Sequence, residues 1–136
     1  MTADDRQARQ DIGELLVRYA SAIDGRDWDL FRTCFTRDCQ ADYQDIGHWH
    51  DREGLTQFMV DAHVGLGPTQ HRISNAAIAV EGDHASARTY VDLVALMPDG
   101  SSGLSSIGWY DDELVRTDDG WRIAHRRYTT MRMGAP

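Results

Sequence analysis

Hydrophobic periodicity in this chain changes character near residue 68, and that change restricts the architectures open to it. Before it, apolar residues recur at helical spacing; after it, they alternate through four long segments. The first helix is predicted over residues 4–24, with Ile12, Leu15, Leu16, Tyr19 and Ile23 as its stripe and Gly25 as its C-terminal cap. Asp27 N-caps a short second helix running through Trp28, Leu30, Phe31 and Phe35. A third runs from Arg52 to about Val64, burying Leu55, Phe58, Met59 and Ala62, and Gly65, Gly67 and Pro68 end it. Between these helices, residues 39–45 read as a short strand and GHWHD at 47–51 as a connection at a pocket mouth. Strands are predicted at 70–80, 84–97, 103–117 and 120–132, separated by EGD, PDGSSG and TDDG, which are hairpin signals. Helices followed by an antiparallel meander indicate an α+β domain, with about three N-terminal helices on one face of a curved sheet. The expected shape is a cone whose open end admits a small molecule, formed by residues 1–136 as a single domain.

Composition narrows the partners. The net charge of −8, from 22 acidic and 14 basic residues, opposes binding to a phosphate backbone. Late arginines (Arg116, Arg122, Arg126, Arg127, Arg132) are interleaved with Asp111, Asp112, Glu113, Asp118 and Asp119, as expected for charge pairing on a solvated sheet face. No apolar run reaches the length of a membrane span, and the charged N-terminus does not read as a signal segment, so a cytoplasmic location is expected. Cys34 and Cys39 read as reduced thiols rather than a disulfide or a zinc site. Neither metal nor cofactor is expected: His48 and His50 read as solvated loop histidines, and no phosphate-loop, dinucleotide or nucleophile-elbow motif occurs.

Acid–base chemistry has better candidates. Asp24 closes the first helix, where the macrodipole disfavours an acid. His71 opens the first long strand and shares a face with Ile73, Ala77 and Ala79, either as a core histidine or as a general base. A carboxylate beside that imidazole would fix its tautomer and raise its basicity. Tyr19 lies five residues before Asp24, about 140° around an ideal helix, so both can border one cavity. In WRIAHRRY, a regular strand turns Arg126 and Arg127 to opposite faces, and an inward guanidinium would stabilise developing negative charge. His125 shares the face of Arg127 and is a weaker candidate. Trp28, Phe31, Trp49, Phe58, Met59, Leu93, Trp109 and Met131 are the pocket candidates, with Arg127 as a further contact, and they suit a hydrophobic small-molecule substrate. An apolar outer sheet face suggests a homo-oligomer, dimer or trimer.

The opening helix ending in YASAIDGRDWDLF, the segments FTRDCQADY and TQHRISNAAIAVEGDHASA, and the closing YDDELVRTDDGWRIAHRRY together resemble the SnoaL-like branch of the nuclear-transport-factor-two-like superfamily. That superfamily includes ketosteroid isomerases, scytalone dehydratase and polyketide cyclases, and the resemblance covers nearly the whole chain. The pattern is closest to hexachlorocyclohexane dehydrochlorinase and bile acid dehydratase, which implies an Asp24–His71 dyad, with Asn75 following at the family interval. It also implies a Tyr19 role and an arginine five residues past the strand Trp121, which is Arg126; a one-residue bulge would transfer that role to Arg127. The implied activity is a dehydratase-like elimination on a steroid, terpenoid or polyketide ring. An isomerase, a cyclase or a non-catalytic binding domain are the alternatives.

Overall fold

The computed structural model describes residues 1–136. Three helices, α1 (Ala3–Asp24), α2 (Trp28–Arg32) and α3 (Arg52–His63), pack on a six-stranded sheet. Its strands are β1 (Phe35–Asp42), β2 (His48–Trp49), β3 (Thr69–Glu81), β4 (His84–Leu96), β5 (Gly103–Thr117) and β6 (Gly120–Gly134). The spatial order is β2-β1-β6-β5-β4-β3, so the curved sheet stays open. This is the α+β architecture expected from the periodicity, with one addition. The sheet is mixed, because β1 runs parallel to β6 while every other pair is antiparallel. No helix is long and apolar enough to cross a membrane.

Local chemistry explains the helix ends. Thr2 and Asp5 form a reciprocal capping box, each side chain accepting from the other's backbone N–H. Asp27 accepts from Leu30 N at 3.1 Å and Asp51 from Gly54 N at 2.6 Å, starting α2 and α3. Gly25 is the C-cap, as expected, but in a right-handed conformation, and Arg26 takes the left-handed position at φ 56°. Its guanidinium offsets the strain by donating to Ile23 O, Thr69 Oγ1 and Gly67 O, all within 2.9 Å. Arg26 thereby staples the end of α1 to the approach of β3. The short strand predicted at 39–45 instead spans Phe35–Asp42. It pairs along β6 on one side and with β2 on the other, and exposed Arg37 and Asp38 interrupt its apolar period. GHWHD supplies a two-residue edge strand, with His48 paired to Asp42 and Trp49 to Ala41.

Three bulges set which side chains face the helices. In β3 the register skips at Asn75, so Ile78 and Val80 pack on the core in place of the expected Ala77 and Ala79, which are exposed. Asn75 itself lies on the outer face beside Arg88 and Tyr90. In β6 the register skips at Ala124 and again at Met131. Trp121 and Ile123 are buried ahead of the first skip, and Arg126 and Tyr128 after it. A regular strand would have put Arg127 inside with Trp121; the bulge puts Arg126 there instead. Arg127 lies outside, 3.9 Å from Asp42. The solvated-face expectation for the late charges also fails at one pair. Asp112 and Arg126 are cross-strand neighbours on the inner face and are fully enclosed, whereas Arg88 and Asp111 form the exposed pair.

Candidate functional site

Between α1, α3 and the inner face of β3–β6 lies a cavity of about 260 Å³ with a predominantly hydrophobic lining. Its rim includes the half-exposed Ile46, Leu104 and Met133, and its base includes the buried Tyr19 and Tyr110. Most polar atoms reaching it already have partners in the protein. The geometry begins where α1 ends against the start of β3.

Asp24 accepts three hydrogen bonds from that strand. His71 Nδ1 donates to Asp24 Oδ1 at 2.7 Å, the His71 backbone N–H to Oδ2 at 2.8 Å, and Thr69 Oγ1 to Oδ1 at 3.0 Å. Arg26 donates to the Thr69 oxygen at 2.8 Å, which directs the Thr69 proton toward Asp24. Burial by itself would raise the Asp24 carboxyl. The His71 imidazole and backbone donors, with Thr69, outweigh it and hold the carboxyl below the usual aspartate range. A carboxylate can only accept, so His71 carries its proton on Nδ1 and presents a bare Nε2. The His71 side chain is 7% exposed and lines the cavity.

That shift fixes a pH dependence. An unfolded aspartate titrates near about 3.9, and the folded group titrates lower. Its contribution to stability is therefore fully present above about pH 3.9 and is lost as pH falls through that value toward the folded one. Denaturant melts of wild type and Asp24→Asn should differ most near pH 5 and converge as the pH drops below about 3.9. A gap that widens on acidification would contradict the assignment.

A second polar centre faces the cavity. Tyr19 and Tyr43 hydroxyls bond each other at 2.8 Å. Behind them, Arg126 is completely enclosed, bonded to Asp112 through Nε (2.7 Å) and Nη2 (2.8 Å). Its guanidinium carbon lies 3.7 Å from the Tyr110 ring centre and 4.2 Å from that of Tyr19, and its Nη1 has no hydrogen-bond partner. Burial pushes the Tyr19 and Tyr43 phenols well up, and the nearby guanidinium charge opposes that rise. Burial likewise opposes the Arg126 charge, but Asp112 holds it protonated. Arg126 does not line the cavity, so its reach into that space passes through the tyrosines.

Among the other expected residues, Phe58, Met59 and Leu93 line the cavity. Trp28 packs on Phe31 and His63, and Trp49 stacks on Phe58 with ring centres 4.3 Å apart, so both stand one layer back. Phe31 is wholly in the core. Trp109 and Met131 lie on the opposite sheet face, Trp109 beneath Arg88. Odd positions of β5 point away from the buried even series Ser106, Tyr110, Asp112 and Leu114, which accounts for Trp109. His125 is also exposed, beside His48, His50 and Gln40. No group of three or more His, Cys, Asp or Glu side chains has metal-binding geometry.

Several lining residues escaped the sequence reading: Tyr43, His63, Ser106, Tyr110 and Tyr128. Cys39, Ala41 and Tyr43 alternate, and His63 follows Met59 at helical spacing, so those two had a signal. Tyr128 had none without knowledge of the bulge.

Residues 4–127 match the SnoaL-like domain family. An uncharacterized protein of Mycobacterium tuberculosis (strain ATCC 25618 / H37Rv) is 37% identical over 120 residues, covering 87% of this chain and 82% of the relative. A candidate scytalone dehydratase of Novosphingobium aromaticivorans superposes with a TM-score of 0.89 at 19% identity, over 98% of this chain and 91% of that one. The type 3 hexachlorocyclohexane dehydrochlorinase of Novosphingobium barchaimii LL02 gives 0.84 at 19% identity, over 99% and 94%. Likeness at such identity speaks for the fold alone. The family match along nearly the whole sequence places this chain in the SnoaL-like domain family.

Proposed function

We propose that the protein is a small lyase that carries out a dehydratase-like elimination on a hydrophobic ring compound of steroid, terpenoid or polyketide type, using its own side chains. The observation that carries this reading is the Asp24–His71 hydrogen bond, which leaves His71 Nε2 bare in an apolar cavity that the Tyr19–Tyr43 pair also lines. In the proposed step, His71 Nε2 removes a proton from a ring carbon. The C–H electron pair becomes the new C=C bond, and the neighbouring C–O bond breaks with its electrons on oxygen. The proton held by the imidazolium then returns to that oxygen, releasing water and restoring the neutral base. Tyr19 and Tyr43 share one of their two protons, leaving one to donate to a substrate oxygen as charge develops. Arg126 acts through them as a positioning residue, stabilising that charge from behind.

The test has two stages. Steroids and aromatic polyketides are screened for a rise in melting temperature, and the stabilising compounds are incubated with wild type and His71→Ala. A product lighter by one water, formed by wild type and not by the variant, supports elimination. An isomeric product would replace it with isomerisation or cyclisation by the same dyad, and unchanged turnover in His71→Ala would sink all three. Binding without turnover would favour the non-catalytic alternative.

The same reading includes self-association in the cytoplasm. Exposed Tyr90, Ile107 and Met131, with Trp109, give the outer sheet face an apolar patch, and Cys34 and Cys39 are both buried free thiols. Light scattering should return a dimer or trimer, and Met131→Lys should shift it toward monomer. A monomeric wild type at micromolar concentration would reject the assembly.

A further inference from the structure

His63, the last residue of α3, lines the same cavity as His71 and has no part in the elimination described above. Its Nδ1 donates to the Met59 carbonyl oxygen at 2.7 Å. A carbonyl only accepts, so in the neutral ring Nε2 carries a lone pair, and no protein group donates to it. The Trp28 ring packs beside it, 5.7 Å between centres. Burial lowers the tendency of His63 to protonate. Arg26 and His71 add to that, while the Met59 carbonyl and Asp24 oppose it without prevailing.

Counting donors and acceptors around the cavity shows what is unusual about this ring. Tyr19 pairs with Tyr43 and Ser106 with Tyr128, and the Tyr110 hydroxyl, which also lines the cavity, carries a proton of its own. Each hydroxyl pair has two protons, uses one internally and keeps one to give. The two imidazoles are different: with Nδ1 committed, each offers the cavity an acceptor and no donor. A ligand that fills this space without presenting a donor would strip both lone pairs of water and return nothing. His71 Nε2 has a carbon-bound proton to take. His63 Nε2 has none assigned.

We infer that His63 accepts a hydrogen bond from a hydroxyl group of the ligand, and that this hydroxyl is retained in the product. The substrate is thus a hydroxylated ring compound with at least one oxygen besides the one that departs. Retention follows from polarity: a departing oxygen must receive a proton, and the resting His63 has none to give from Nε2. The inference rests on the elimination reading for the role of His71, yet the recognition itself is measurable without turnover.

The probes are 2-naphthol and naphthalene, which share a flat bicyclic body and differ by one hydroxyl. Calorimetric titration of wild type should show tenfold or greater preference for 2-naphthol. His63→Phe keeps a ring against Trp28 but removes the acceptor, and its preference should fall below threefold. His63→Gln, which returns an acceptor oxygen, should recover most of it. Circular dichroism confirms that each variant is folded, and the Gln variant stands in should the Phe variant fail. In Tyr128→Phe and His71→Ala the preference should persist. No preference in wild type, whether both probes bind equally or neither binds, overturns the proposal. So does a preference that survives His63→Phe, or one that is abolished by His71→Ala or Tyr128→Phe. An intact His63-dependent preference in a protein that performs no elimination would instead count against the elimination reading alone.

Discussion

Asp112→Ala should destabilise the protein by about 3–5 kcal/mol, because it leaves the Arg126 guanidinium buried without its counter-charge. The pair sits between β5 and β6 with both side chains fully enclosed, and two short hydrogen bonds saturate the carboxylate's facing oxygens. Removing the carboxylate strands a cation whose remaining neighbours are the faces of Tyr19, Phe35 and Tyr110. Cation–π attraction of about 2 kcal/mol is too small to offset that desolvation. With a urea dependence of about 1–3 kcal/mol per molar, the unfolding midpoint should drop by roughly 2 M. A shift below about 0.5 M would mean that the guanidinium finds water, contrary to its enclosure. The double variant Asp112→Leu/Arg126→Met separates charge from packing. Swapping a buried pair for apolar side chains of similar size is often neutral or stabilising, so it should regain most of the lost stability. Turnover, however, should stay low, because the charge behind Tyr19 and Tyr43 is gone. Restored stability with restored activity would reduce the pair to a structural brace.

How much of this was legible in the sequence depends on where each residue stands relative to an irregularity. Asp24 and His71 sit at the end of a regular helix and the start of a regular strand, before any bulge, so period and position mark them as candidates, and the family resemblance pairs them. Arg126 lies two residues beyond the Ala124 bulge, and there alternation counted from Trp121 selects the wrong neighbour. Only its spacing in a family resemblance pointed the right way. Asp112 could not be separated from Asp111 by charge; the regular alternation of β5 separates them once Tyr110 is known to face inward. Asn75 is the bulge residue itself, and it turns away from the cavity despite standing at a family interval from His71. Pairing across the chain was equally hidden. Nothing local shows that Tyr43 meets Tyr19, because that contact arises when β1 joins β6 in parallel. The left-handed Arg26 was also hidden by the adjacent glycine, the usual choice for that conformation. Two of its three side-chain hydrogen bonds, to Gly67 O and Thr69 Oγ1, reach residues that approach only in the folded state.

His71→Ala should lower kcat on the true substrate by about a hundred- to ten-thousandfold, the contribution expected of a positioned general base. Asp24→Asn should approach the same loss by a different physical route, which makes the pair of variants informative. Asp24 faces three donors: the His71 imidazole N–H, the His71 backbone N–H and the Thr69 hydroxyl. An amide has one accepting oxygen, so whichever way the substituted side chain turns, its NH2 opposes at least one of them. If the oxygen stays with the backbone N–H, the amide nitrogen meets His71 Nδ1 and selects the tautomer that carries its proton on Nε2. That tautomer has no lone pair to offer the cavity and cannot act as a base from that edge. If the oxygen instead stays with Nδ1, the backbone donor at the head of β3 is orphaned, and a loss of about 1–3 kcal/mol in stability follows. The two outcomes are separable by nitrogen NMR of the imidazole, which reports the protonated ring nitrogen, alongside a thermal melt. Thr69→Val removes the third donor and one acceptor of Arg26 but leaves the His71 tautomer alone, so it should cost less in kcat than either variant. Equal losses in Thr69→Val and His71→Ala would show that the carboxylate's setting, rather than the base it orients, limits the reaction.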